Sequence, residues 1–237
     1  MIFPIVVLAG GLATRLRPLI DKIPKSLVSI NGTPFVIHQL ELFLHHGINN
    51  VHFCLGHLGE MVKEVIEGSK FPDIMEITYS FDGKKPLGTG GAIINAFFTL
   101  TETFFITYGD SFLDIDYKAI ESYFLNSVYD DCGLMTVYKN ANKYDTSNVI
   151  FENKCLVSYS KKTLNSSMEY IDYGLGILRK NHFQLYPVST YLDLSEVYES
   201  LSLQGNLIGF ESYERFFEIG SIKGIEDFTN YLNSKQL

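Results

Sequence analysis

The chain of 237 residues is long enough for one large α/β domain, or for a core with a small appendage. Hydrophobic residues make up 46% and charged residues 19%, which argues against disorder, and a net charge of −8 speaks against a nucleic-acid partner. The 3 cysteines are odd in number and widely spaced, so we expect no disulfide framework and a reducing, cytoplasmic compartment.

The chain opens with an apolar run from Ile2 to Ala9 that leads directly into Gly10-Gly11. No basic residue precedes this run, as one would in a signal peptide. No stretch of the sequence reaches the roughly 18 apolar residues that a membrane span needs. We therefore predict a buried first strand and no membrane partner.

The first half alternates short β-branched runs with segments whose apolar residues recur at helical spacing. The predicted strands are 5–8, 27–30, 51–55, 74–79 and 104–107. The predicted helices are 34–47, 58–68 and 88–100. This order predicts a layered α/β fold, with a mostly parallel, Rossmann-like sheet flanked by helices. Ligands of such sheets bind beyond the carboxyl ends of the strands.

The second half has closely spaced strand candidates joined by short turns, followed by late helices. The predicted strands are 133–138, 148–151, 155–158 and 171–178, and the predicted helices are 195–203 and 222–232. This pattern predicts an antiparallel, β-rich insertion that covers one side of the sheet. Because no linker or composition break separates the halves, we predict a single domain over 1–237.

The loop after the first strand carries the chemistry. Two glycines at a strand end leave backbone N–H groups open to form an anion-binding nest. Arg15 offers a planar fork for phosphate oxygens, and Lys25, ten residues later, adds a point charge. A glycine pair alone is typical of a turn, and a lone arginine or lysine of a solvated surface, so the prediction of a phosphate site depends on the combination.

The stretch Leu8 to Leu19 with Pro24 to Leu27 resembles the signature of the sugar-phosphate nucleotidylyltransferases, L-A-G-G, then T-R-L-x-P-L, then P-K-x-L. Three later motifs follow in the same order. Pro86 to Ile93 resembles the second glycine loop of the family, and Tyr108 to Ser111 resembles its metal-binding G-D. Glu218 to Ser221 resembles its late D-I-G-T, with glutamate for aspartate. The resemblance covers almost the whole chain.

The resemblance implies an enzyme that joins a nucleoside triphosphate to a sugar 1-phosphate and releases pyrophosphate, with Mg²⁺ as cofactor. Residues from about 1 to 130 would form its nucleotide-binding half and the remainder its sugar-binding half. It implies that Arg15 and Lys25 are catalytic, and that Asp110 and Glu218 bind the metal. The nucleotide-binding residues would be Leu8, Ala9, Gly10, Gly11, Thr14, His57, Gly88 and Thr89.

The sugar phosphate would be held by Lys161, Asp172, Tyr173 and Gly174. Ser160 stands where the family usually has an acidic residue, so the lysine assignment could shift to Lys162. Structural roles stay open for three of the polar residues: a turn cap for Asp110, a role outside the metal site for Glu218, and a polar position in an edge strand for Asp172.

Within the family, three segments are most similar to the bacterial D-glycero-α-D-manno-heptose 1-phosphate guanylyltransferases, which make GDP-heptose for surface polysaccharide. They are Leu-Ala-Thr-Arg-Leu-Arg-Pro, Ile-Asp-Tyr-Gly and Phe-Phe-Glu-Ile-Gly-Ser. This similarity implies GTP and a heptose 1-phosphate as substrates. Mannose 1-phosphate is the alternative sugar. Base choice would depend on backbone groups or on Asp82.

Several other readings compete. A dinucleotide-dependent oxidoreductase needs a third glycine in the loop. A non-catalytic sensor would not need Arg15, Lys25 and Asp110 together. A phosphocholine cytidylyltransferase shares the loop but needs an aromatic cage, and the chain contains no tryptophan. The oligomeric state stays open, with a homodimer as the candidate assembly.

A zinc site is a further alternative, because His52, Cys54 and His57 cluster at one predicted strand. The spacing lacks a second ligand pair. We instead expect His57, past the carboxyl end of that strand, to lie beside the nucleotide.

Overall fold

The computed structural model describes residues 2–11, 23–128, 131–152 and 155–235. The first half contains seven described strands and four helices in an alternating order. In chain order these are β1 (Ile5–Ala9), β2 (Ser29–Ile30), β3 (Thr33–Pro34), α1 (Phe35–His45), β4 (Asn50–Leu55), α2 (Gly59–Glu67), β5 (Glu76–Phe81), α3 (Gly88–Asn95), β6 (Thr103–Tyr108), β7 (Ser111–Phe112) and α4 (Tyr117–Leu125).

The second half contributes mainly strands. These elements are β8 (Gly133–Lys139), β9 (Val149–Glu152), β10 (Cys155–Tyr159), β11 (Tyr170–Arg179), α5 (Leu194–Leu203), β12 (Leu207–Ser212), β13 (Phe217–Glu218) and α6 (Ile222–Lys235). Nine of the described strands form one sheet, whose main path runs β10-β9-β11-β6-β1-β4-β5. Strand β8 pairs with β11 and β12 beside this path.

The parallel part of the sheet is β6-β1-β4-β5, since β1 pairs in parallel with both β4 and β6, and β4 with β5. The chain moves from β1 outward to β5 and then crosses back to β6 on the other side of β1. The strand order therefore reverses at β1, and a ligand crevice is expected at the carboxyl ends of β1 and β6. The predicted mostly parallel sheet with flanking helices is confirmed.

Helices cover both faces of the sheet because consecutive strand residues point to opposite faces. Ile5 and Val7 of β1 pack with α1, α2 and α4, whereas Val6 and Leu8 pack with α3 and α5. Strand β1 is buried on both faces, which explains why its sequence is a continuous apolar run without polar alternation.

The second-half strands extend the central sheet, where the sequence had suggested a layer covering one side. Strand β11 pairs antiparallel with β6 along Leu175 to Arg179, and with β8 on its other edge. Its residues 173–178 are all buried. A strand buried on both faces gains its stability inside the sheet, so the β-rich second half continues the sheet of the first half.

Two further elements differ from expectation. The predicted strand 27–30 is instead a 3-10 turn over Lys25–Leu27 followed by the two-residue strand β2, and the turn is closed by Val28 N–H donating to the Lys25 carbonyl at 2.9 Å. Helix α4 was not predicted. Its cap is Asp116, whose side chain accepts a hydrogen bond from the Ala119 N–H at 3.0 Å.

The last helix, α6, is held against β7 and β13 by an aromatic cluster centred on Phe228. This side chain is fully buried and packs against Phe35, Phe112 and Phe217, with the Phe112 ring centroid 4.7 Å away. The cluster packs against the β7–β13 ladder, in which Glu218 pairs with Ser111.

An ionic network adds to this support. Asp114 accepts hydrogen bonds from Tyr231 and Lys235 of α6, and His46 Nε2 lies 3.1 Å from its Oδ1. Burial alone would raise the pKa of Asp114, but these partners outweigh it and hold the pKa at about 2. Among the described helices, none is long and apolar enough to cross a membrane.

A buried histidine couples the fold to pH. His52 on β4 is 2% exposed, with Nδ1 2.8 Å from the Thr78 hydroxyl and Nε2 3.0 Å from the Ser80 hydroxyl. Burial lowers the pKa of His52 from 6.5 to about 4. As the pH falls, His52 is therefore protonated near pH 6.5 in the unfolded chain but only near pH 4 in the folded chain. The contribution of neutral His52 to the free energy of unfolding is complete above pH 6.5, and this contribution is lost as the pH falls toward 4.

We predict that His52→Gln removes part of this pH dependence. Between neutral pH and about pH 5 the wild-type free energy of unfolding should fall by about 2 kcal/mol more than that of the variant. Urea unfolding of both proteins at the two pH values measures the difference. His45→Gln, at an exposed histidine of α1, is the matched control and should keep the wild-type slope. Equal slopes for His52→Gln and wild type would contradict the prediction.

Candidate active site

A cavity of about 540 Å³ opens at the carboxyl ends of β1, β4 and β6. We call it the nucleotide cavity; its name and that of the next cavity follow the ligands that the sequence resemblance implies. Its lining comes from both glycine loops, the 3-10 turn after the first loop and the segment before α5, and comprises Leu8, Ala9, Gly10, Gly11, Lys25, Ser26, Cys54, Asp82, Pro86, Gly88, Thr89, Ala92, Tyr108, Gly109, Asp110, Tyr191 and Asp193.

Glycines let the three strand ends approach one another here. A Cβ on Gly56 would lie 2.7 Å from the Gly10 carbonyl oxygen, and a Cβ on Gly109 would lie 2.6 Å from the Cβ of Ala9. Both distances are closer than side-chain atoms tolerate. The Gly109 N–H also donates to the Leu8 carbonyl at 2.9 Å. The close approach brings the Gly10-Gly11 backbone and Asp110 to the same cavity.

Among the described residues, the cation that lines this cavity is Lys25. Its Nζ lies 3.0 Å from Oδ2 of Asp110, and the two side chains are 20% and 29% exposed. The 3-10 turn aims Lys25 across the cavity, which a continuous strand over 27–30 would not do. A Cβ on Gly220 would lie 3.7 Å from Lys25 Nζ and 3.8 Å from Asp110 Oδ2, so the late motif closes over the pair.

The second glycine loop, residues 88–91, is covered by residues 190–194, which we call the strap. The Leu192 carbonyl accepts hydrogen bonds from the N–H groups of Gly90 and Gly91 at 2.9 and 3.2 Å, and the Leu192 N–H donates to Leu87. The Leu194 N–H donates to the Thr89 hydroxyl at 2.8 Å. A side chain on Gly88 would collide with the Leu192 carbonyl. These glycines therefore make room for the strap and bind it, and Gly88 in addition lines the cavity.

Asp82 lines the nucleotide cavity close to the start of α3. Its Oδ2 accepts a hydrogen bond from the Leu87 N–H at 3.2 Å and lies 3.5 Å from the position of a Cβ on Gly10. Burial raises the pKa of Asp82, and the bond from Leu87 opposes that rise. A carboxylate in this position offers hydrogen-bond acceptors at the edge of a bound ligand.

A second cavity, of about 440 Å³, adjoins the first on the side of β11. We call it the sugar cavity. Its lining is mostly polar and comprises Tyr108, Asp110, Asp145, Thr146, Asn148, Lys161, Leu164, Ile171, Asp172, Gly174 and Glu218.

A bulge in β11 shapes this cavity. The register of β11 against β8 shifts between Asp172 and Gly176, and Gly174 adopts a φ of +94° that favours glycine. The Gly174 N–H donates to Asp172 Oδ1 at 3.0 Å, and Asn148 Oδ1 accepts from the Asp172 N–H at 2.9 Å. Burial raises the pKa of Asp172, whereas the Lys161 charge and the Gly174 N–H lower it.

Lys161 is the lysine that faces the sugar cavity, with Nζ 5.9 Å from the centre of the Tyr108 ring. Lys162 is not among the lining residues. Ser160 is buried, and its hydroxyl accepts hydrogen bonds from the N–H groups of Lys162 and Thr163, which fixes the turn that presents Lys161. A capping serine thus replaces the acidic residue usual in the family.

The two cavities share Tyr108 and Asp110. Asp110 also follows β6 and receives the Ile219 N–H on its carbonyl at 2.9 Å, which ties it to the segment that carries Glu218. Asp110 thus stands at the junction of the two cavities, and Glu218, which lines the sugar cavity but not the nucleotide cavity, is carried by a segment bonded to it.

This junction fits a hard cation. In the part of the chain that the structure describes, no group of three or more His, Cys, Asp or Glu side chains forms a metal cage. Mg²⁺ does not need one, because it is usually held by one or two carboxylates together with substrate phosphates and water. The acidic oxygens of Asp110 and Glu218 are ligands of that kind.

Most predicted residues are brought together. The first-loop residues, Lys25, Gly88, Thr89 and Asp110 line the nucleotide cavity, and Lys161, Asp172, Gly174 and Glu218 line the sugar cavity. Thr14 and Arg15 lie outside the described residues. His57 is exposed in the turn before α2 and lines neither cavity. Tyr173 is 1% exposed and packs in the core against Phe216.

The sequence analysis missed several lining residues, namely Tyr191, Asp193, Asp145, Thr146 and Asn148. Asp193 caps α5 through the Ser195 N–H at 2.8 Å. Burial would raise its pKa, but the Ser195 hydrogen bonds and the charges of Lys161 and Lys162 outweigh burial and lower it. An aspartate before a helical pattern is a cap signal, but nothing in the sequence indicates that it faces a cavity.

The alternative zinc cluster is not assembled. His52 is occupied by hydroxyl groups inside the sheet, and the Cys54 thiol lies 3.6 Å from the Ala92 carbonyl. Burial raises the pKa of Cys54 to about 12, which keeps the thiol protonated.

Comparisons with known proteins agree with this geometry. The family described as nucleotidyl transferase matches residues 5–145. D-glycero-alpha-D-manno-heptose 1-phosphate guanylyltransferase of Campylobacter jejuni is 31% identical over 231 residues, which covers 96% of this chain and 97% of that protein. Mannose-1-phosphate guanylyltransferase catalytic subunit beta of Xenopus tropicalis is 28% identical, over 92% of this chain and 61% of its own length.

The fold is shared as well. The crystal structure of HddC from Yersinia pseudotuberculosis complexed with GMP-PN superposes with a TM-score of 0.77 at 23% identity, covering 97% of this chain and 99% of that one. The chain belongs to the nucleotidyl transferase family, in which it is an enzyme of the sugar-1-phosphate nucleotidylyltransferase class.

Proposed function

We propose that the enzyme transfers GMP from GTP to D-glycero-α-D-manno-heptose 1-phosphate in the presence of Mg²⁺, giving GDP-heptose and pyrophosphate. The observation that carries this proposal is the meeting of the two cavities at Tyr108 and Asp110. A triphosphate bound in one cavity and a sugar phosphate bound in the other would then react at a shared carboxylate. The heptose and guanine assignments take their support from the Campylobacter jejuni relative.

In this reaction an oxygen of the sugar phosphate attacks the α-phosphorus of the nucleotide and forms a new P–O bond. The bond from the α-phosphorus to the oxygen that bridges it to the β-phosphorus breaks, and the electron pair leaves with pyrophosphate. The attacking phosphate oxygen is already ionised at neutral pH, so no side chain has to remove a proton. Catalysis then consists of positioning and charge neutralisation.

Lys25 is suited to neutralise charge on the phosphates. Its ammonium group lies at the phosphate end of the nucleotide cavity, where it can move from Asp110 to the oxygens of an incoming triphosphate. Lys161 would hold the sugar phosphate, and Asp172 would accept a sugar hydroxyl beside it. Two lysines on opposite sides of the junction would align the two phosphates for in-line displacement.

Asp110 and Glu218 would hold the Mg²⁺. The ion, when bound, would neutralise charge on the phosphates and share their oxygens with the protein. The β7–β13 ladder positions Glu218 for this role, because it fixes the segment that carries Glu218 against the segment after β6.

Asp82 supports the choice of guanine. The Watson–Crick edge of guanine presents two neighbouring donors, the N1–H and the N2 amino group, and a carboxylate can accept both. Adenine offers a single amino donor with an acceptor beside it. The carboxylate of Asp82 lines the nucleotide cavity beside the Leu87 N–H that orients it.

The substrate pair can be tested directly by pyrophosphate release. We expect release from GTP with D-glycero-α-D-manno-heptose 1-phosphate in Mg²⁺, and none when EDTA removes the metal. ATP, CTP, UTP and dTTP, with mannose and glucose 1-phosphates, complete the panel. Release with GTP and mannose 1-phosphate would support the activity named for the Xenopus tropicalis relative and overturn the heptose assignment. No release with any pair, from folded protein, would overturn the proposed function.

We predict that Lys25→Ala lowers kcat/KM by about 10²–10³-fold, because the developing charge on the phosphates loses a preorganised partner. Lys70→Ala is the matched control, since Lys70 is an exposed lysine paired with Glu41 far from both cavities. Steady-state kinetics on proteins with equal thermal unfolding midpoints provide the measurement. A Lys25→Ala enzyme within a few-fold of wild type would remove Lys25 from the catalytic role.

We also predict that Asp82→Asn lowers the preference for GTP over ATP by about tenfold, because asparagine retains one acceptor and replaces the other with a donor. The acceptor that remains can still take the Leu87 N–H. The ratio of kcat/KM values for the two nucleotides is the measurement. Asp73→Asn, at an exposed aspartate outside the cavities, should leave the ratio unchanged. An unchanged ratio for Asp82→Asn would assign base choice to backbone groups.

A further inference from the structure

The strap presents an exposed aromatic side chain at the mouth of the nucleotide cavity. Tyr191 lines that cavity and yet is 69% exposed. Large aromatic side chains usually bury most of their area, and exposed ones at a cavity mouth are available to cover a ligand. No sequence motif singles out Tyr191.

The backbone beneath this ring is firmly held. Leu192, the next residue, exchanges hydrogen bonds with Leu87, Gly90 and Gly91, and the Leu194 N–H is bound by Thr89. Asp193 then caps α5. The ring is thus mounted on a fixed support, so that stacking on a ligand would cost little ordering of the main chain.

The ring lies against the start of α3. Its Cε2 would be 3.2 Å from a Cβ placed on Gly88, so it rests against the glycine that starts α3. Asp82 hydrogen-bonds to Leu87, the residue immediately before that glycine. The Tyr191 ring and the Asp82 carboxylate, which both line the cavity, therefore flank the same two residues, Leu87 and Gly88.

We propose that Tyr191 stacks on the nucleobase and closes the nucleotide cavity from above. The inference rests on the proposed function, because it assumes that a nucleoside triphosphate occupies this cavity. Every base has a π-face, so stacking on Tyr191 supplies affinity for any nucleotide, while Asp82 discriminates among bases. Affinity and selectivity for the base thus come from different residues.

The kinetic test compares Tyr191→Ala with Tyr191→Phe. The alanine variant should raise KM for the nucleotide about tenfold, with kcat and the KM for the sugar phosphate close to wild type. The phenylalanine variant keeps the ring and should keep the wild-type KM. Unlike Asp82→Asn, the alanine variant should weaken GTP and ATP equally. Tyr213→Ala, at an 82% exposed tyrosine beyond β12 that lines neither cavity, is the matched control.

A direct readout is also available, because the chain contains no tryptophan. Tyr191→Trp places a single tryptophan in the strap, where it can be excited selectively over the tyrosines. Its emission should be quenched by GTP and by other nucleoside triphosphates, and not by inorganic triphosphate, which has no base to stack.

Calorimetric titration of the wild-type enzyme with GTP separates the two levels of inference. If the wild type binds GTP but Tyr191→Ala binds it equally well and Tyr191→Trp is not quenched, the stacking role is overturned and the proposed function stands. If the wild type binds no nucleoside triphosphate, the proposed function and the stacking role fall together. Weaker binding by Tyr191→Ala, with base-dependent quenching in Tyr191→Trp, establishes the role.

Discussion

The site depends on the close approach of three parallel strand ends. Because β1, β4 and β6 run in the same direction, their carboxyl ends meet at one edge of the sheet. Gly10, Gly56 and Gly109 let the chain segments that leave this edge touch, since a Cβ at position 56 or 109 would overlap the neighbouring segment. Asp110 consequently faces the first glycine loop, and the 3-10 turn only has to carry Lys25 across a short gap to reach it.

A second constraint brings the other cavity to the same edge. β11 joins β6 antiparallel, so the bulged part of β11 lies beyond the carboxyl end of β6, beside Tyr108 and Asp110. With a φ of +94° at Gly174, the bulge turns Asp172 toward the cavity while the strand continues in the core. One sheet therefore supplies both cavities, and the residues at their junction need no separate domain to position them.

The sequence was sufficient for the parallel sheet and for about half of the residues that line the two cavities, because buried apolar runs and glycine motifs are local signals. Prediction from the sequence failed where an element or a side chain is placed by contacts with residues distant in the chain. The run 27–30 looks like one strand, but Lys25–Leu27 form a 3-10 turn and only Ser29–Ile30 pair, with the short strand β3. Tyr173 was assigned to the sugar site although strand alternation points it away from its neighbour Asp172, into the core. The strap has no periodicity of its own, and its place is fixed by hydrogen bonds to a loop about a hundred residues earlier.

Charge explains why such a site would depend on a divalent cation. Of the described residues, four carboxylates, Asp110, Asp145, Asp172 and Glu218, and one lysine line the sugar cavity, and in the nucleotide cavity Lys25 is paired with Asp110. The whole chain carries a net charge of −8. A triphosphate and a sugar phosphate entering together would add further negative charge at close range, where repulsion is strong. Among the described residues, the lysines alone do not balance this charge. A cation bound by Asp110 and Glu218 would release Lys25 for the phosphates, so the carboxylates that repel the substrates would then help to bind them.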